Sequence, residues 1–225
     1  MIEDLNIRRA TINDIDFVIE AIIESEKGTS NVVSSCNIFN LPEVRFKEIL
    51  KDVLEQDIEN YDYYLSGFLV AESKGEYIGA SGSWIENIDG TPSGLIKATV
   101  LFPFLDRTKM KEVNKNSQVI KNLTFARKNG TLQLEHGYVR EKYRRQGVFT
   151  RLVKENIKSN YSKNQFPLSQ VVLFKQNYKS YNANLKVGYQ VVEEKRVEDP
   201  VVLQYFPYNT KVLMEFNQDK IYLLN

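Results

Sequence analysis

Strand-like and helix-like periods alternate along this chain, and that alternation predicts an α/β fold. Three stretches carry the prediction. Across 132–157 a two-residue period passes through a glycine-containing turn into a helical one. Residues 170–174, QVVLF, form a near-continuous apolar run, as expected of a central strand covered on both faces. Near the start, Ile12, Ile15, Val18, Ile19, Ile22 and Ile23 share one helical face directly after a short strand candidate at 5–9.

The elements follow in order. Thr11 suits a helix N-cap, and Asp14 three residues on approaches a capping box for a helix running to about Glu26. Residues 28–40 are small and polar and read as loop. Pro42 opens a second helix whose Phe46, Ile49, Leu50, Val53 and Leu54 share a face. Segments 66–72 and 77–85 read as strands joined by a hairpin at Gly75. Gly79, Ala80 and Gly82 make the second of them small-residued, which calls for a bulge or a close approach. Segment 89–130 is apolar at 96–104 and Lys/Asn-rich with a weak helical pattern at 109–128. Its role is a surface excursion or a substrate lid.

In the 132–139 strand, Leu132, Leu134, His136 and Tyr138 alternate with Gln133, Glu135, Gly137 and Val139. On that period His136 points to the opposite sheet face from Glu135. After Gly147 the spacing of Phe149, Leu152, Val153 and Ile157 is helical. Helix 177–187 ends at Gly188, a suitable C′ residue, and strands at 189–197 and 211–216 flank a 200–209 loop.

Composition sets outer limits. The 225 residues suit one domain, or one domain with an insertion. A net charge of +1 argues against nucleic acid or an anionic membrane as the main partner, so the basic turn at 143–147 is a local feature suited to a small anion. No run approaches the roughly 20 apolar residues of a membrane span, and the N-terminus lacks a signal pattern. Cys36 is the one cysteine, so no internal disulfide forms and a reducing, cytoplasmic setting is expected. One cysteine and one histidine make no zinc site by themselves, and no metal is expected.

A strand-to-helix turn with a glycine presents unpaired amides and the positive end of a helix dipole, which together bind phosphate. The same residues carry a resemblance. Val139-x-x-x-Tyr143-Arg144-x-x-Gly147 resembles the central signature of the GNAT superfamily of N-acetyltransferases, with Arg144, Gly147 and Phe149 at its three marked positions. Phe149 departs from the usual small residue. Asn177, Ser180, Gly188 and Tyr189 resemble the second GNAT motif, with Asn184 where many members carry tyrosine.

The resemblance implies a mixed, mostly antiparallel sheet of about six to seven strands with helices on both faces. One domain would span 1–225, with an insertion at about 89–130 between the third and fourth strands. It implies acetyl-CoA as co-substrate and direct acetyl transfer to a primary amine on a small-molecule or peptide acceptor. Val139 and Arg140 would hold the pantetheine arm, and Arg144 with the amides of Arg145, Gln146, Gly147, Val148, Phe149 and Thr150 the pyrophosphate. Asn177 and Tyr181 would flank the thiol end, and Asn184 would also belong to the cofactor-binding set. Glu135 is the candidate base for the ammonium and Tyr181 the candidate proton donor to the leaving thiol. A non-catalytic acyl-CoA-binding module and a longer-chain acyltransferase are the alternatives, and homodimerisation stays open.

Overall fold

The computed structural model describes residues 2, 4–106, 108, 110, 111, 114, 117–164, 166–217, 219 and 220. Its strands are β1 (Asn6–Arg9), β2 (Phe68–Ser73), β3 (Glu76–Ile85), β4 (Leu132–Val139), β5 (Leu168–Phe174), β6 (Gln190–Arg196) and β7 (Thr210–Asn217). They form one sheet in the order β1-β2-β3-β4-β5-β7-β6. Every pair is antiparallel except β4–β5. The helices are α1 (Ile15–Lys27), α2 (Ser34–Phe39), α3 (Glu43–Gln56), α4 (Ser93–Leu101), α5 (Ser117–Asn122), α6 (Val148–Asn164) and α7 (Tyr178–Val187).

Two apolar layers sandwich the sheet. On one face Val18, Ile22, Ile49 and Leu50 of α1 and α3 pack on Phe68, Val70 and Ala80. On the other, Val153 and Ile157 of α6 meet Leu132, Leu134, Val212, Met214 and Phe216, while Val148 and Leu152 meet Leu69, Ile78 and Val139. The helical periodicities fix these faces. At the entry to α1 the Thr11 amide and hydroxyl both donate to the Asp14 carboxylate, at 2.7 and 2.9 Å.

Two local differences from the sequence reading have physical causes, and between them one expectation is met. The 28–40 stretch contains α2: the amide and hydroxyl of Ser35 both donate to Glu26 at 2.9 and 2.6 Å, anchoring a turn that local propensity does not favour. In β3, Gly82 lies under the Phe68 ring, where a Cβ would come within 2.9 Å, so close approach explains that glycine. The second difference is a bulge in β4. The β3–β4 register slips between Ala80 and Gly82, and His136 takes a φ of 54°. The bulge turns His136 onto the Glu135 side of the sheet, so the expectation that the two face apart is corrected.

The segment between β3 and β4 is clipped at its root. Glu86 N donates to Thr131 O at 2.9 Å and Gly130 N to Glu86 O at 2.8 Å. Its α4 packs on the α1–α3 layer through Leu101, Ile96 and Val100. Further on, Leu123 joins Val197, Val202, Tyr205 and Phe206 around the β6–β7 connection. The helical pattern read at 109–128 lies partly outside the described residues; among those described it includes α5.

Candidate active site

The site grows from a gap in the sheet. The parallel β4–β5 pairing runs only from Leu132↔Ser169 to Leu134↔Val171. Beyond it the strands part, leaving the second half of β4 without a partner on its β5 side. Arg140 N donates to Ile78 O at 3.0 Å, and Val139 stands opposite Gly79. Antiparallel alternation therefore turns the N–H and C=O of Val139 away from β3, into the gap. The Val139 carbonyl accepts from Arg144 Nε at 2.9 Å.

Arg140 behaves differently from its sequence assignment. Its amide is spent on β3, and its guanidinium is spent on Glu20 of α1 at 2.9 and 2.6 Å and on Tyr77 O at 3.0 Å. It clamps α1 to the sheet.

At the end of β4 the chain makes a tight turn before α6, with Arg145 at φ 63° and Gly147 at φ 83°. A Cβ on Gly147 would meet nothing within 4 Å, so glycine is required by the backbone angle and the space above it is open. Arg144 N closes the preceding turn on Glu141 O, and the next amide with an acceptor in the chain is Arg151. The consecutive amides from Arg145 to Thr150 carry no internal hydrogen bond among the described residues. They crown the first turn of a 17-residue helix, a place that favours an anion. Arg144, Arg145, Gln146 and Gly147 are exposed, and Gln146 Nε2 folds back on Lys142 O at 3.1 Å, so among the described residues no side chain caps the corner.

Phe149 finds room because Gly137 has no side chain. A Cβ on Gly137 would stand 2.6 Å from the Phe149 ring. The ring lies half buried between the two α6-side clusters, and Tyr181 of α7 is packed at the edge of one of them. Asn177 caps α7, its Oδ1 accepting from Ser180 N at 3.4 Å. Asn184 is buried and donates to Ser180 O at 3.0 Å, so its amide nitrogen serves its own helix.

On the opposite face the sheet carries a charged cluster around Glu135. The Arg127 guanidinium pairs with Glu135 Oε1 and also donates to Ser93 Oγ at 3.1 Å. Glu135 Oε2 faces His136 Nε2 at 3.9 Å. The His136 ring is stacked between Tyr63 and Phe68, at 5.6 and 6.1 Å. Its Nδ1 lies 3.3 Å from Ser25 Oγ, and its buried Nε2 has no hydrogen-bond partner, with Asp62 Oδ2 at 3.7 Å.

Lys97 of α4 meets buried Asp62 at 2.5 Å and lies over the Tyr63 ring. Burial, the largest single influence, would raise the Asp62 carboxyl, but Lys97, His136 and Arg127 together outweigh it and hold Asp62 well below the usual carboxylate range. Burial would likewise lower Arg127, and Glu135, Asp62 and Glu86 together hold it above its ordinary value. From β7, Lys211 joins the cluster; burial drags its ammonium down to about 8 despite the opposing pull of Glu135 and Glu26.

Asp62, Glu135 and His136 bring donor atoms within 4.8 Å of one another, a constellation that sequence spacing did not reveal. Two of the three already pair with Lys97 and Arg127, so a metal ion would have to displace those cations. Cys36 is buried, and burial pushes its thiol up to about 11, which leaves it protonated at neutral pH and unsuited to nucleophilic work.

Solved structures share this architecture. The chain matches an N-acetyltransferase from Staphylococcus aureus Mu50 at 16% identity and TM-score 0.61, over 94% of this chain and 100% of that one. It also matches a putative acetyltransferase from Salmonella typhimurium, solved with its cofactor acetyl-CoA, at 12% identity and TM-score 0.54, over 96% and 94%. A GNAT-family acetyltransferase from Streptococcus agalactiae 2603 matches at 10% identity and TM-score 0.54, over 95% of each chain. This is the GNAT fold.

The seven-stranded sheet, parted between β4 and β5, is thus a GNAT sheet, as the motif resemblance implied. Other GNAT-like matches are named for agmatine and for spermidine and spermine. No family model and no curated protein matches the sequence. Against this background Asp62, Lys97, Arg127 and Lys211 are additions that sequence reasoning missed. They come from separate segments, and no periodicity or motif links them.

Proposed function

We propose that the protein is an acetyl-CoA-dependent N-acetyltransferase acting on a primary amine. One observation carries the reading: a row of unbonded amides from Arg145 to Thr150 stands at the mouth of the β4–β5 gap, into which Val139 turns its own N–H and C=O. A diphosphate fits the first and an amide-bearing arm fits the second. The acetyl-CoA of the Salmonella neighbour supports the assignment.

When bound, the thioester would supply the electrophilic acetyl carbon. Glu135 Oε2, the oxygen that Arg127 leaves free, takes a proton from the acceptor ammonium, the freed amine forms the N–C bond, and the second proton that nitrogen sheds as the amide forms passes to solvent. The Val139 N–H donates to the oxyanion that develops. Tyr181 supplies a proton to sulfur as the C–S bond breaks. Arg144 releases the Val139 carbonyl as the arm arrives. Asn177 and Asn184 hold α7 in place beside the gap rather than binding ligand directly. No covalent enzyme intermediate forms. A cytoplasmic location fits the single buried cysteine, and among the described residues no helix is long and apolar enough to cross a membrane.

The test is calorimetric titration with acetyl-CoA, followed by a free-thiol assay over an amine library. Micromolar to millimolar binding with amine-dependent thiol release is expected. An absence of binding in that range sinks the proposal.

A further inference from the structure

On the acetyl-transfer reading above, we propose that His136 works through Glu135: its bare Nε2 receives the proton that Glu135 takes from the acceptor ammonium, and Glu135 returns to a carboxylate. His136 is the one histidine of the chain, and its side chain is 6% exposed.

The hydrogen bonds of the ring decide which nitrogen carries its proton. The Ser25 hydroxyl of α1 donates to Ile22 O, one turn back, at 2.8 Å. With that hydrogen committed, the 3.3 Å contact between Ser25 Oγ and Nδ1 needs an N–H on Nδ1. A neutral ring then leaves Nε2 as a lone pair. The surroundings agree. Nε2 is buried with no hydrogen-bond partner among the described residues, and Asp62 Oδ2 and Glu135 Oε2 stand at 3.7 and 3.9 Å. Acceptors with no proton between them keep such a spacing, whereas a shared proton draws a pair to about 2.7–3.2 Å. Lys97 and Arg127 take the two carboxylates instead.

This arrangement is unfavourable to fold. The ring reaches it through the β4 bulge at a φ of 54°, uncommon for a residue with a side chain. A phenyl ring could stack between Tyr63 and Phe68 without bringing an unsatisfied nitrogen into the core. A lone pair held between two anions gains its partner only when a proton arrives.

The step balances as follows. The ammonium N–H breaks as Glu135 Oε2–H forms, and then Oε2–H breaks as Nε2–H forms. Glu135 is again a carboxylate, beside an imidazolium. Asp62 faces that charge, and the two favour each other's charged form. A free imidazole holds a proton about a hundredfold more tightly than a free carboxylate, so the uphill transfer from an ammonium is shortened by that factor. Once product leaves, the proton returns through Glu135, the more exposed of the two, to water. The titratable groups facing the ring are Asp62, Glu135 and Tyr63, with Lys97 and Arg127 behind the carboxylates and Glu26 and Lys211 acting across the same cluster.

The experiment reads the imidazole directly. Labelling histidine with nitrogen-15 in the full chain gives the spectrum of His136 alone. The neutral ring is expected to carry its hydrogen on Nδ1, with a pyridine-like Nε2 that gains the proton as pH falls. With an amine that supports thiol release, His136→Gln should lower kcat about tenfold or more and leave the KM for acetyl-CoA within about twofold. It should also move the acid limb of kcat from the pH at which the spectrum shows Nε2 protonating to the lower range of a carboxylate. Ser25→Ala keeps a good helix former in α1 and releases Nδ1, so part of the hydrogen should shift to Nε2 and kcat should fall with it. A wild-type ring with its hydrogen on Nε2, an acid limb that His136→Gln leaves in place, or a kcat unmoved in both variants overturns the inference. Absence of turnover with every amine falls instead on the acetyl-transfer reading, which the spectrum does not use.

Discussion

The two ends of the β4–β5 parting are built from different materials. At the α6 end the functional surface is main chain: the amides from Arg145 to Thr150 and the peptide groups of Val139. At the Glu135 end it is side chain, drawn from α1, the loop before β2, α4, the stretch before β4, β4 itself and β7. A backbone surface depends on the turn keeping its shape and tolerates change in most side chains. A side-chain surface depends on several distant segments arriving together, and each charge there relies on its neighbour to offset burial. On the acetyl-transfer proposal, recognition at the first end would rest on backbone geometry and at the second on side chains gathered from distant segments.

Substitutions can break that contrast, and the largest effect is expected at Glu135. Glu135→Gln should lower kcat by about 10²–10⁴-fold while leaving acetyl-CoA affinity within a factor of two or so. If steady-state kinetics and calorimetry give a parallel loss, the two ends are not separable. Asp62→Ala comes next. It strands the Lys97 charge in a buried site, at a cost of about 3–5 kcal/mol, read as a drop in Tm of roughly 6–20 °C. An unchanged melting curve would mean that the cluster carries no structural burden.

Gly147→Val should act at the other end alone. A β-branched residue resists the φ of 83°, so acetyl-CoA affinity should weaken by about tenfold or more, with a smaller change in Tm. The reverse ranking would make the turn a folding element first.

The smallest expected effect sharpens the contrast through pH. Burial holds Lys211 at about 8 in the folded chain against 10.5 when free, with Glu135 and Glu26 opposing the shift and Arg127 and Lys97 adding to it. Between those values the unfolded chain binds more protons, so stability rises with pH across that window. Below it the burden of the buried charge is complete. Lys211→Met should therefore stabilise the protein most near pH 7, and the gain should fade as pH approaches 10.5. Denaturant titrations at the two pH values check the sign.

How far the sequence reveals these two ends follows from the same difference. The β4–α6 turn is local, so Gly147 and the change of period announce it, and the apolar faces of α1 and α3 were equally plain. The mixed, mostly antiparallel sheet of about six to seven strands was implied by the resemblance at Arg144–Gly147 and Asn177–Gly188, while its strand order came only with the structure. What escaped was set by contacts distant in the chain. α2 hides in a Ser/Asn cluster because Glu26 anchors it. The bulge at His136 broke the inferred alternation, and nothing near Asp62 signals that Lys97 would arrive from α4 to meet it.

The seating of Phe149 on Gly137 has an evolutionary corollary. The two positions lie on different elements, yet neither can drift freely: a side chain gained on the strand would collide with the ring, and a ring trimmed first would leave a hollow beside the strand. A change to a small residue at the start of the helix would pass through that hollow unless the strand position gained a side chain with it, so the two positions are expected to change together.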